Sequence, residues 1–196
     1  MIENLRLLND TLARSPLAGR WWMFAGGLLG WAREGNVLLH DSVDVDFLVL
    51  DEDIPRLHAS IDLLRRAGFQ PLFRFPGVGR PTTIFSFLRD GAKFEFMRAE
   101  RRGEVFSFWS YGPGRGGGIA NRHELPAQPL VEFRYLDRTW LKTRDHDLEL
   151  TASYGDWRTP DPAFTYMDSP AIVERVPWDD TSFDAWGRAF LEEAAA

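Results

Sequence analysis

The chain has 196 residues, 44% of them hydrophobic and 14% aromatic, enough to bury one core in a single domain of ordinary size, and it has no cysteine, which excludes disulfides and thiolate metal sites. A formal charge of −6 and a sequence pI near 5.3 argue against the basic face that binding DNA or RNA demands. No uncharged apolar run approaches membrane-spanning length, and the N-terminus lacks a basic region followed by an apolar segment, so a cytoplasmic protein with no membrane span is expected.

In chain order, Ile2, Leu5, Leu8 and Leu12 recur near helical spacing and predict an amphipathic helix over residues 2–14. Trp21 to Phe24 is an apolar run of strand length that stops at Gly26-Gly27, before a segment from Leu28 to Arg33 of helical composition. Strand, glycine turn and helix is the implied order. Glycines at such a turn let the backbone approach a ligand, and the unpaired N–H groups of a helix start suit a phosphate; a plain structural turn is the other reading.

The segment Asp44-Val45-Asp46-Phe47-Leu48-Val49-Leu50 then reads as a β-strand. Strand side chains alternate, so Asp44 and Asp46 project to one side while Val43, Val45 and Phe47 project to the other. Two like charges side by side on an otherwise apolar strand call for a neutralising cation, and a divalent metal is the simplest one. Without cysteine, the possible ligands are carboxylates and the four histidines His40, His58, His123 and His146, an inventory suited to hard cations such as Mg²⁺ or Mn²⁺.

Asp51 to Asp53 predicts a turn, and Ile54, Leu57, Ile61 and Leu64 predict a second amphipathic helix, with Pro55 in its first turn and Gly68 at its end. From Phe69 the period changes to two. Segments 69–75, 82–89 and 92–98 read as strands, with Arg89-Asp90-Gly91 as a hairpin signal. On the last of these, Phe94 and Phe96 face the core, which leaves Lys93 and Glu95 together on the opposite face. Glu95 is thus a candidate third carboxylate, or a solvent-facing strand residue, and Lys93 a phosphate contact or an ordinary hairpin lysine.

Glu104 to Ser110 suggests another strand, and Tyr111 to Gly118, rich in glycine and containing Arg115, reads as a mobile loop. His123 follows on a loop, a general-base candidate with no visible partner. Leu130 to Tyr135 reads as a short strand and 137–153 as a helix leading into Tyr154-Gly155-Asp156-Trp157-Arg158-Thr159-Pro160, where Gly155 would cap the helix with Tyr154 and Trp157 packed beneath. Residues 162–177 look irregular, and 181–196 suggest a terminal helix. These elements give an α/β fold, a small mixed sheet with helices packed on it.

The glycine pair, Leu29-Gly30-Trp31-Ala32-Arg33, a short link with His40 and Asp41, and Asp44-Val45-Asp46 together resemble the LicD and fukutin group of the polymerase-β-like nucleotidyltransferase superfamily. The Tyr154-Gly155-Asp156-Trp157 turn followed by Pro160 is similar to that family's closing motif, so the resemblance spans about residues 20–162. The family's Trp-Asp pair before the Asp-x-Asp is absent, and Glu95 stands where an aspartate is usual. The resemblance implies a nucleotidyltransferase-type fold in which Asp44, Asp46 and Glu95 hold one or two Mg²⁺ ions, Gly26 and Gly27 approach the donor phosphates, and Arg33 offsets their charge. The implied activity is transfer of a phosphocholine- or phosphoribitol-like group from a CDP-linked donor to a hydroxyl of a small molecule or glycan. Nucleotidylation of a small molecule such as an antibiotic, and a catalytically silent nucleotide-binding or scaffold protein, are the alternatives.

Overall fold

A computed structural model describes residues 1–38, 43–77, 80–114 and 117–178, with backbone alone in the described parts of 73–81 and 113–117. His40, Asp41, Arg115 and the expected terminal helix lie outside the described residues. The fold is mixed α/β with a mostly antiparallel sheet. Its elements are α1 (Ile2–Leu12), β1 (Trp21–Met23), α2 (Ala25–Glu34), β2 (Asp44–Leu50), α3 (Ile54–Arg66), β3 (Gln70–Gly77), β4 (Arg80–Arg89), β5 (Ala92–Arg102), β6 (Val105–Gly114), β7 (Gly117–Pro126), β8 (Leu130–Tyr135), β9 (Arg138–Thr143), α4 (His146–Tyr154) and β10 (Ile172–Trp178).

Eight strands form one sheet with β1, β2, β5, β6, β7 and β10 in sequence across it, β4 also pairing with β5, and β3 with β4; β8 and β9 pair separately. Within the large sheet the β2–β5 pairing is parallel, with Asp44 opposite Lys93, Asp46 opposite Glu95 and Phe47 opposite Phe96. Strand alternation sorts the side chains into two cores. On one face Val45, Phe47, Val49, Phe85, Phe87, Phe94 and Phe96 pack beneath the apolar stripes of α1 and α3 and against Phe133 and Trp140 of the β8–β9 hairpin. On the other, Trp22, Phe24, Leu48, Ile84, Met97 and Ala99 are covered by Phe106, Phe108 and Leu125, because β6 and β7 fold back over that face. The Phe24 and Phe108 rings meet edge to face at 5.0 Å.

Several expectations are corrected. Val43, grouped with Val45 and Phe47 by strand alternation, precedes the strand, which begins only at Asp44, and is 61% exposed. The described parts of the glycine-rich segment are strand: β6 and β7 pair as far as Gly114 opposite Gly117. Gly118 is required there, since an added Cβ would lie 2.6 Å from the Trp178 ring. The first part of 137–153 is β9, entered through Leu136 and Asp137 at φ of 49° and 59°, the double left-handed geometry of a two-residue hairpin turn. Asp90 and Gly91 (φ 48° and 76°) make the same kind of turn where it is expected. Residues 162–177 include most of β10. Among the described residues no helix is long and apolar enough to cross a membrane.

Candidate functional site

Parallel pairing in register puts Asp44 and Asp46 on β2 beside Lys93 and Glu95 on β5, all four projecting to the second face, at the end where both strands begin. The apolar residues between them hold the strands in place: Val45 and Phe47 alternate with the aspartates, Phe94 and Phe96 with Lys93 and Glu95, and all four are buried on the first face. Carboxylate oxygens of Asp44, Asp46 and Glu95 lie within 4.8 Å of one another. Glu95 is only 6% exposed.

Lys93 sits among these charges. Its Nζ lies 3.1 Å from Asp44 Oδ2 and 3.1 Å from Glu95 Oε2. The other Glu95 oxygen, Oε1, accepts a hydrogen bond from Ser86 Oγ of β4 at 2.5 Å. Burial pushes the Glu95 carboxyl above its usual range, and Asp44 adds to that push, while Lys93 and Ser86 oppose it. For Lys93, burial alone would weaken the ammonium, but Glu95, Asp44 and Asp46 outweigh it and hold the pKa above that of an ordinary lysine. Asp44 Oδ1 is buried with no hydrogen-bond partner among the described residues.

Three carboxylates against one ammonium leave the cluster negative, and its all-oxygen donor set suits a hard dication. Oxygens around a single Mg²⁺, each about 2.1 Å from it, are at most about 4.2 Å apart, so a span approaching 4.8 Å needs small side-chain adjustments or a second ion. A cation entering between Asp44 and Glu95 meets the position Lys93 now holds. The expected third carboxylate is therefore beside the pair, and so is Lys93, as their direct partner.

Helix α2 starts at the same end of the sheet, where Phe24 N–H donates to the Asp46 carbonyl at 3.3 Å. Phe24, the N-cap residue, offers no side-chain cap. Leu28 N–H donates to the Phe24 carbonyl at 3.4 Å, so the N–H groups of Gly26 and Gly27 fall in the first turn, ahead of the helical ladder. Gly27 also has a packing reason for lacking a side chain: a Cβ there would lie 3.2 Å from both Met23 Cγ and Val45 Cγ1, on the face opposite the carboxylates. Arg33 is not brought to the cluster. It occupies the last turn of α2, roughly 12 Å of helical rise beyond Ala25, and pairs with Glu34 at 3.3 Å.

Ser86 belongs to the site without any local sequence signal for it. Ser86 reaches Glu95 across the β4–β5 pair. Tyr166, in the short helical turn Tyr166–Asp168, donates through its hydroxyl to the Tyr111 carbonyl at 3.3 Å, and the Tyr111 hydroxyl in turn lies 2.7 Å from Thr83 Oγ1. His123 is a buried β7 residue, not an exposed loop residue, with Nε2 2.8 Å from Ser110 Oγ and its ring stacked on Phe108 at 4.8 Å. Burial, aided by the charge of Arg175, lowers its pKa to about 4, so the imidazole is neutral at physiological pH. In the Tyr154-to-Pro160 segment Gly155 N–H caps α4 at the Thr151 carbonyl, and the buried Trp157 donates Nε1–H to Asp147 Oδ1 at 2.9 Å, the structural role expected of that turn. No family model matches the sequence, and a search of curated proteins returns no match.

Proposed function

We propose that the protein is a metal-dependent transferase of nucleotidyltransferase type, moving a phosphorus-containing group from a nucleotide-linked donor to a hydroxyl acceptor. The observation that supports this reading is the convergence of Asp44, Asp46 and Glu95 within 4.8 Å beside the first turn of α2. Asp44, Asp46 and Glu95 are the residues that would hold Mg²⁺ or Mn²⁺, which when bound supplies charge neutralisation and orientation to a transferring phosphoryl group. The N–H groups of Gly26 and Gly27 offer donors to donor phosphates, and Ser86 fixes one oxygen of Glu95 so that the other faces the cluster. Lys93, released from Asp44 and Glu95 when a cation takes its place, becomes a phosphate contact. The transferred group follows the family resemblance, phosphocholine- or phosphoribitol-like from a CDP-linked donor, or a nucleotide monophosphate passed to a small molecule.

One observation favours a second reading, a catalytically silent binding protein. Lys93 already neutralises part of the cluster, as it would if the carboxylates needed only an internal cation. Calorimetric titration with Mn²⁺, together with CTP, ATP and CDP-choline turnover followed by product mass, separates the readings. Metal binding that Asp46→Asn abolishes, with a transferred product, is the expected result; a wild-type protein that binds no metal overturns the transferase.

A further inference from the structure

Lys93 holds the oxygens that a metal in the cluster would need. Both oxygens of Glu95 are engaged: Oε1 accepts the Ser86 hydroxyl at 2.5 Å, and Oε2 lies 3.1 Å from Lys93 Nζ. The same ammonium lies 3.1 Å from Asp44 Oδ2, which makes it a bridge between β2 and β5. A dication shared by Asp44 and Glu95 would sit about 2.1 Å from an oxygen of each, on ground that Nζ occupies, and two cations so close repel. Asp44 Oδ1 is buried with no hydrogen-bond partner among the described residues, so it remains for a metal. An ion held there alone has not gathered the three carboxylates.

Moving the ammonium aside is easy for the chain and costly in charge. The Lys93 backbone is fixed, its N–H donating to the Val43 carbonyl at 2.8 Å, whereas the side chain is 29% exposed and has room to swing towards solvent. Swinging out gives up two ion pairs, one of them with the buried Glu95. An anion arriving with the metal returns a partner to the ammonium. The same end of the sheet carries the first turn of α2, whose N-cap residue Phe24 offers no side-chain cap and whose leading N–H groups suit that anion as well. We propose that Lys93 is an internal lock on the metal site: a divalent cation binds weakly by itself, and tightly only together with a phosphate group that receives the displaced ammonium. The inference rests on the transferase reading and adds an order of assembly to it, since metal and donor phosphates load as a unit and each strengthens the other by the same factor.

The test is Mn²⁺ binding to the wild type and to Lys93→Met, with and without inorganic phosphate, read from the electron paramagnetic resonance signal of free aqueous Mn²⁺. Chloride matches the ionic strength, and protein-free samples correct for Mn²⁺ held by phosphate in solution. Phosphate should tighten Mn²⁺ binding to the wild type by about tenfold, a coupling of the size usual between linked sites. Lys93→Met, with no ammonium to displace, should bind Mn²⁺ about tenfold more tightly than the wild type in the absence of phosphate, and should gain less than about twofold from phosphate. Circular dichroism establishes that the variant is folded, and the wild-type pair of measurements decides without it. A wild type that binds Mn²⁺ equally with and without phosphate overturns the lock and leaves the transferase reading standing. So does a folded Lys93→Met that binds Mn²⁺ no more tightly than the wild type, or that gains as much from phosphate. A wild type that binds no Mn²⁺ even with phosphate present overturns both.

Discussion

Replacing Lys93 with methionine keeps most of the length of the side chain and removes the cation that, among the described residues, pairs with Asp44 and Glu95. At 3.1 Å and an effective dielectric of about 20, each of its two ion pairs has a Coulomb energy of about 5 kcal/mol. Neither survives at that size. The Asp44 side chain is 37% exposed, so solvent screening brings that pair to about 1 kcal/mol or less. Glu95, with its side chain 8% exposed, is a buried partner, and stripping one member from a buried pair costs on the order of 3–5 kcal/mol, reduced here because Glu95 can take up a proton. The expected net destabilisation of metal-free protein is about 3 kcal/mol, a melting temperature lower by about 6–12 °C for a chain of this size. Millimolar Mn²⁺ should restore more of that loss than it adds to the wild type, because the ion no longer competes with the ammonium. Thermal melts of both proteins in EDTA and in Mn²⁺ measure all four values. If Lys93→Met melts within about 2 °C of wild type in EDTA, less than 1 kcal/mol is at stake and Lys93 is not what holds the carboxylates together.

Asp46→Asn should raise the melting temperature of metal-free protein, by relieving repulsion with Asp44 and Glu95, while abolishing both metal stabilisation and transfer; equal metal responses of variant and wild type would take Asp46 out of the site. Glu149 of α4 is fully buried, bonded by Thr143 Oγ1 at 2.5 Å and with Oε1 unpartnered among the described residues, and burial raises its pKa from 4.5 to about 7. The folded state therefore holds the proton more tightly than the unfolded one, stability falls as pH rises from about 4.5 to 7, and the loss above pH 7 is about 3 kcal/mol. Glu149→Gln should flatten that dependence, gaining on the wild type at pH 8 and not at pH 4.5, as urea melts at the two pH values would show. In Gly30→Ala the helix gains about 1 kcal/mol from alanine, but the new Cβ would lie 2.5 Å from the Asn36 carbonyl oxygen and 3.1 Å from Leu38 N, both backbone atoms, so denaturant melts should show a net loss of about 1–3 kcal/mol.

The Asp-x-Asp strand, Glu95 and the sides they share with Lys93 were legible because strand alternation is a local rule: apolar residues at every second position fix where the charged ones point. The two hairpin turns show where such legibility stops. Asp90-Gly91 advertises its left-handed geometry, whereas Leu136-Asp137 adopts the same geometry without a glycine, and β9 was read as helix as a result. The glycines of 111–118 suggested a loop because their usual meaning is backbone freedom, yet Gly112 and Gly118 sit in paired strands and are needed for what is absent, a side chain that would strike Tyr166, Met167 or Trp178. Ser86, Tyr166 and the Ser110–His123 pair come together through distant segments, and no local pattern marks such meetings. Gly27 shows the opposite hazard, since its packing against Met23 and Val45 accounts for the glycine without any phosphate.

The parallel pairing of β2 with β5 also bears on how the chain folds. Between Asp46 and Glu95 run α3, β3 and β4, and β5 pairs with β4 as well as β2, so the third carboxylate reaches the pair only by closing a loop that contains a helix and two further strands. Closing so long a loop is slow compared with forming the local turns on either side of it. A nascent chain that has extended no further than α3 carries the two aspartates but neither Lys93 nor Glu95, and has nothing with which to hold them. The same strand that adds the third acid also carries its counter-charge: pairing β5 with β2 brings Lys93 to the cluster together with Glu95.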